Sequence, residues 1–218
     1  MRFERMRLSS KEQLPLYVFV FVLFAAGAAF GVLMYNALTL EQQTKLGSEV
    51  GRYLRTMETG FGTGESPAFA ERAMFHGKWL LLIWLLGLSV VGVPLIFALD
   101  FLKGVLVGFS AGALVTAQAV PWKGALLSVL ALAPPNLLVV PALLMASVSG
   151  MSFAVYVIRN RLVRKQGDLR AALLTHTVYS ALLLLVLLAA ALLETALSPV
   201  VLGWAAPYFA PGAMEAGL

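Results

Sequence analysis

The sequence predicts an all-α integral membrane bundle. It has five transmembrane helices, a broken, re-entrant segment before the fourth span, and an amphipathic helix outside the cytoplasm. Three observations lead there. Apolar residues make up 60% of the 218-residue chain and charged residues only 12%, where a soluble domain sits nearer half and a quarter. Long apolar runs recur from one end to the other, each able to cross a hydrocarbon core of about 30 Å. Pro134-Pro135-Asn136 falls inside the longest of them. There is no cysteine, which excludes disulfides, thiolate metal sites and cysteine nucleophiles.

The elements follow in order. Residues 1–13 carry Arg2, Arg5, Arg7 and Lys11 and form a cytoplasmic tail. The first span is 14–38, with Pro15 in its opening turn. It exceeds the apolar core of a signal peptide, about 7–15 residues, and so reads as uncleaved. Segment 39–78 is the long polar loop. Leu46, Val50, Tyr53, Leu54 and Met57 recur there at helical spacing, before Gly60, Gly62, Gly64 and Pro67 break the pattern. That apolar stripe is the candidate partner-binding face, or a face for the lipid surface.

The second span is 79–99. Asp100 and Lys103 read as a solvated turn, and 104–120 is the third span, ended by Pro121-Trp122-Lys123. The chain then stays apolar from Gly124 to Ile158. As one helix this would measure about 50 Å. Pro135 biases Pro134 away from helical geometry, so the run is expected to split into a short arm, 124–133, and a fourth span, 137–158. A basic cytoplasmic loop (159–170), a fifth span (171–197) and an extracytoplasmic tail (198–218) complete the chain.

Charge sets the orientation. The formal charge is +5, but no run interleaves basic with stacking aromatic residues, so nucleic-acid binding is not expected. Basic residues instead mark cytoplasmic segments. Arg159, Arg161, Arg164, Lys165 and Arg170 lie together, on the same side as the N-terminus, and nothing basic follows Arg170. The N-terminus is therefore expected inside, and the long loop and C-terminus outside.

Several motifs qualify as functional. Gly104, Gly108 and Gly112 form a double GxxxG stripe, and Ala142, Ala146 and Gly150 form a second small-residue stripe. Small residues at this spacing let helix backbones approach in lipid, either within the chain or in a homodimer. Pro134, Pro135, Asn136 and Pro141 mark the helix break; it reads as a re-entrant elbow or an outer-surface break capped by Asn136, the alternative being an ion or substrate site of the kind transporters build from such breaks. Gly108-Phe109-Ser110-Ala111-Gly112 matches the hydrolase GxSxG pattern, but that motif needs a strand-to-helix elbow. His176 is the histidine at a depth to pair with Ser110. His76 and Glu194 read as solvated or snorkelling, while His176, Gln118 and Asn136 read as polar groups joining helices. No arrangement of acids and histidines suggests a metal or cofactor, and no catalytic set is expected.

The segment Leu86-Gly87-Leu88-Ser89-Val90-Val91-Gly92-Val93-Pro94, then Phe101-Leu102-Lys103-Gly104 with Gly108, resembles the stage II sporulation protein M family. So does Ala133-Pro134-Pro135-Asn136-Leu137-Leu138-Val139-Val140-Pro141-Ala142. The resemblance runs from about Trp79 to Lys165. Many relatives carry a His and a Glu in the proline motif, where this chain has Pro135 and Val139; it looks more like the sporulation branch. The resemblance implies a multi-pass protein of the bacterial cytoplasmic membrane, at the sporulation septum during engulfment. It implies a non-enzymatic anchor for two peptidoglycan-degrading partners, an amidase/endopeptidase and a lytic transglycosylase. The competing reading is a small transporter or channel built on the broken fourth span.

Overall fold

A computed structural model describes residues 10–59, 69–116, 121–159 and 169–209. The basic residues Arg2, Arg5 and Arg7, the glycine-rich stretch of the loop, Gln118, the basic cluster Arg161, Arg164 and Lys165, and residues 210–218 lie outside them. The elements are α1 (Ser10–Asn36), α2 (Leu40–Thr59), α3 (Phe69–Gly87), α4 (Gly92–Thr116), α5 (Pro121–Val157) and α6 (Leu169–Phe209). No strand occurs among the described residues.

Four helices, α1, α4, α5 and α6, are long and apolar enough to cross a membrane. Their large outward side chains are apolar: Leu14, Phe21 and Leu33 on α1, Leu174 and Leu185 on α6. Water would penalise such a surface, whereas lipid solvates it. α3 is 19 residues long and carries Glu71, Arg72, His76 and Lys78 in its first half.

The closest packing joins α1 to α4. A Cβ added at Gly104 would overlap Phe24, one at Gly108 would overlap Ala28, and those at Gly27 and Gly31 would overlap Phe101 and Val105. Contacts ascend together on both helices, so α1 and α4 run parallel. The Thr116 and Tyr35 hydroxyls, 2.7 Å apart, tie their ends. The Gly104, Gly108, Gly112 stripe is thus occupied inside the chain, by α1. Ala142 and Ala146 of the second stripe are buried among Leu80, Ile83, Leu183 and Leu187, and Gly150 meets Gly87 of α3.

Two parallel neighbours need a return leg, and α3 is that leg. The turn into α4 lies at Leu88–Val91, closed by Ser89 N–H to Leu86 O and Gly92 N–H to Ser89 O, both 3.0 Å. Any side chain at Gly92 would strike the Leu86 carbonyl. This corrects the expected spans 79–99 and 104–120: Asp100 and Lys103 are not a turn but lie inside α4. Their charge suggested a loop, while the real turn signal was the Gly87, Ser89, Gly92, Pro94 cluster.

α5 also differs from expectation. It is one helix of 37 residues with Pro134, Pro135 and Pro141 inside it, so there is no separate arm and no break. Each proline removes one N–H donor, freeing the carbonyls of Leu130, Ala131 and Leu137. Breaking the helix in lipid would leave up to four donors and four acceptors bare at each new pair of ends. Continuing costs less. Asn136 assists, its Nδ2 donating to Leu132 O at 2.9 Å, and α5 is clasped by α1, α3, α4 and α6. α6 likewise continues to Phe209, past the expected end of the fifth span at residue 197.

A Thr39–Gln42 capping box starts α2: Thr39 N–H donates to Gln42 Oε1 at 3.0 Å, and Gln42 N–H to Thr39 Oγ1 at 3.4 Å. α2 lies at the far end of the bundle, the end opposite Ser10, against α4 and α6. The side chains of Val50, Tyr53, Leu54 and Met57 lie outside the described residues, while Leu46 is half-buried.

Backbone contact at Gly108 makes a direct prediction. Gly108→Leu should lower stability in detergent by about 3 kcal/mol or more, since overpacking already costs about 1–3 kcal/mol where side chains rather than backbones must move. Gly47→Ala, whose Cβ meets nothing, should leave stability unchanged or raise it by a few tenths of a kcal/mol. Thermal melts of both variants in one detergent provide the comparison.

Candidate functional site: a buried polar seam

The interior of a lipid-embedded bundle is expected to be apolar, and ionisable groups there default to a functional reading. Here α3, α4, α5 and α6 bury Arg72, His76, Asp100, Lys103, Ser147, His176 and Ser180. Helical spacing brings them together. On α3, Arg72 and His76 share one face with Leu80 and Ile83. On α4, Asp100 and Lys103 share a side with Ile96, away from the glycine stripe.

At the far end, Glu194 of α6 reaches back to α3. Its Oε2 lies 3.2 Å from His76 Nε2 and its Oε1 lies 3.6 Å from Arg72 Nε. His76 is therefore not a solvated border residue, and Glu194 is held by partners rather than left to snorkel. One turn deeper, the Lys103 ammonium sits over the Phe75 and Trp79 rings, 5.2 and 5.6 Å from their centroids. That cation–π geometry replaces part of its hydration. At mid-depth the Ser147 hydroxyl donates to Asp100 Oδ1 at 2.7 Å. Asp100 is only 3% exposed, which corrects the solvated pair expected with Lys103.

Towards the near end, His176 Nδ1 and Ser149 Oγ are 3.0 Å apart, and Phe153 stacks on the imidazole. Ser110 is elsewhere, exposed on α4 and donating to Leu106 O. The Ser110–His176 pairing weighed from sequence does not form. Beside His176, a cavity of about 90 Å³ is lined by Gln13, Tyr17, Ser149, Ser152, Tyr156 and Thr175, among others.

Among the described residues, seven buried side-chain atoms have no hydrogen-bond partner within the protein: Arg72 Nη1, His76 Nδ1, Trp84 Nε1, Asp100 Oδ2, Ser152 Oγ, His176 Nε2 and Ser180 Oγ. Left dry, each costs about 1–3 kcal/mol. Together that is roughly 10 kcal/mol, comparable to the whole net stability of a domain, about 5–15 kcal/mol. No group of three acids or histidines close enough to hold a metal occurs among the described residues.

The sequence reading missed Arg72, Asp100, Lys103, Ser147 and Ser149. A signal was present in Arg72, His76, Leu80 and Ile83, which share one helical face, but the charges were read as loop. Of the residues marked from sequence, Pro134, Pro135, Asn136 and Pro141 lie along α5 and do not join the polar seam.

A profile of stage II sporulation protein M matches residues 20–199. The chain belongs to the stage II sporulation protein M family. The matched span takes in most of α1 and ends within α6, so the polar seam lies wholly within the family region. No curated protein and no solved structure matches the chain.

The far-end cluster is testable by coupling. Glu194→Leu should destabilise the protein by about 2 kcal/mol, because it strands a buried guanidinium; loss of a partner from a buried pair costs about 3–5 kcal/mol and the glutamate is partly exposed. Adding Arg72→Met should recover part of that loss. A double-mutant cycle measured by unfolding in mixed micelles checks it, and strict additivity would mean the two groups are not coupled.

Proposed function

We propose that this membrane protein is a non-enzymatic scaffold that anchors and localises peptidoglycan-degrading enzymes during sporulation engulfment. Family membership is the observation that carries the reading. The partners implied are an amidase/endopeptidase and a lytic transglycosylase, at the sporulation septum. In this reading α3 is a fifth crossing. It is antiparallel to α4, and its 19 residues measure about 28 Å at 1.5 Å per residue, close to the core thickness. With the N-terminus inside by the distribution of Lys and Arg, the far end faces outward. α2 then lies on the external surface, where wall enzymes work.

A wall enzyme must meet α2, the segment before α3, or the exposed helix ends. The stripe of Leu46, Val50, Tyr53, Leu54 and Met57 is the preferred contact, as an amphipathic helix offers anchors at this spacing. α2 spends part of its surface on α4 and α6, so a partner would have to share this helix with the bundle. A channel through a broken fourth span loses its basis, because α5 is continuous.

Two experiments test this reading. Val50→Asp with Leu54→Asp should reduce co-purification of the wall hydrolases from detergent at least ten-fold, with the protein still in the membrane. Undiminished co-purification would remove α2 as the contact. For topology, the cysteine-free chain allows Ser48→Cys and Gln166→Cys to be labelled in intact cells with an impermeant thiol reagent. Labelling of the first and protection of the second is expected; the reverse would overturn the orientation.

A further inference from the structure

The outward side of a membrane helix is ordinarily apolar. Leu14, Val18 and Phe21 of α1 and Leu174 and Val178 of α6 follow that rule. The cavity beside His176 departs from it. α1 and α6 both pack on α5, and residues of all three helices line the cavity. It therefore occupies the cleft that α1 and α6 leave over α5. Gln13, Tyr17, Ser149, Ser152, Tyr156 and Thr175 line it and are half-buried, so the cleft is not sealed. Gln13 begins the apolar span of α1, Tyr156 is next to last in that of α5, and Ala172 lies in the first turn of that of α6. The cleft thus sits where the hydrocarbon core gives way to lipid headgroups.

The lining decides what can enter. Among the described residues around the cleft there is no acid, lysine or arginine, so a small ion inside would lack a counter-charge. Hydroxyl groups and the Gln13 amide both donate and accept hydrogen bonds. An alcohol does the same. The Ser152 hydroxyl is buried and has no partner within the protein. Behind it Ser149 is held 3.0 Å from His176 Nδ1, and Phe153 stacks on that imidazole. The volume is about 90 Å³, the share of about three waters. That admits a vicinal diol and excludes a sugar ring. Positive charge stands at the rim: Arg159 is three residues beyond Tyr156 and Arg170 is two before Ala172, both exposed.

We propose that this near-end cleft binds a glycerol phosphate group, with its terminal diol among the hydroxyls and its phosphate beside Arg159. Two sources carry that group here: phosphatidylglycerol in the adjoining leaflet, and free glycerol phosphate in the water beyond it. The depth of the cleft suits the lipid, whose acyl chains would run along the exposed Leu14, Val18 and Leu174. Phosphatidic acid carries the phosphate without a headgroup diol, and phosphatidylethanolamine carries an ammonium in the diol's place. Neither meets both the hydroxyls and the rim. The binding does not rest on the scaffold reading, nor on which membrane face is cytoplasmic.

The test titrates the full-length protein in detergent micelles with phosphatidylglycerol, phosphatidic acid and phosphatidylethanolamine of the same acyl chains, and counts bound lipid by native mass spectrometry. Phosphatidylglycerol should bind about ten-fold more tightly than either, the worth of one or two net hydrogen bonds. Ser152→Leu, which removes the hydroxyl and fills the cleft, should bring phosphatidylglycerol down to the level of phosphatidic acid. Arg159→Gln should weaken both anionic lipids together. Displacement of the bound lipid by free glycerol phosphate would identify the soluble compound as the occupant, and persistence would identify the lipid. Equal retention of phosphatidylglycerol and phosphatidic acid by the wild-type protein would overturn the proposal, since rim charge alone would then account for binding; that comparison needs no variant. Undiminished phosphatidylglycerol binding by a Ser152→Leu protein that melts like the wild type would overturn it too. Ser152→Leu should still bring down wall hydrolases, so failure of lipid binding and failure of the scaffold reading are separable.

Discussion

Backbone contact between α1 and α4 is the constraint on which the bundle depends. Apolar side chains gain nothing by leaving lipid for each other, so helices must associate by close packing and polar bonds. Glycines on both helices remove the side chains that would hold the backbones apart: Gly27 and Gly31 on one, Gly104 and Gly108 on the other. The contact makes the two helices parallel, and parallel neighbours cannot be joined by a short turn. α2 and α3 supply the connection, and the tight turn at Leu88–Val91 delivers the chain to the start of α4.

The same contact decides which side of α4 remains for the other helices. With the glycine stripe given to α1, Ile96, Asp100 and Lys103 face the interior shared with α3, α5 and α6. Polar groups there cannot reach bulk solvent and find partners across the bundle: Ser147 for Asp100, aromatic rings for Lys103 and Glu194 for Arg72 and His76. A continuous α5 is necessary for this. Were the helix broken at Pro134-Pro135, Ser147 and Ser149 would lose the fixed register that aims them at α4 and α6.

In the proposed scaffold role, recruitment of wall enzymes falls to α2 and the far surface, whereas the buried polar groups occupy the interior from Glu194 to His176. α2 packs on α4 and α6, which carry Asp100, Lys103 and Glu194. α2 and the polar seam are thus mechanically adjacent, without sharing a residue.

The class of the protein was legible in its composition: so much apolar sequence with so little charge has no stable arrangement outside lipid. The glycine stripe announced close packing, and Leu86–Pro94 with Phe101–Gly108 and the 133–142 segment announced the family. Local rules failed where lipid changes the cost of an alternative. Pro134-Pro135 predicts a break in water, where freed backbone groups are solvated; in a clasped membrane helix continuing leaves fewer groups bare. Charge at Asp100 and Lys103 predicts a loop when each residue is read alone. Their place inside α4 depended on partners at Ser147, Phe75 and Trp79, 47 and 28 or 24 residues away in the chain, and on which face α1 had already taken. The sequence by itself determined the solvent, the helices and the family. Only the tertiary structure decided which polar residues meet, because that choice rests on helix register and not on any pattern along the chain.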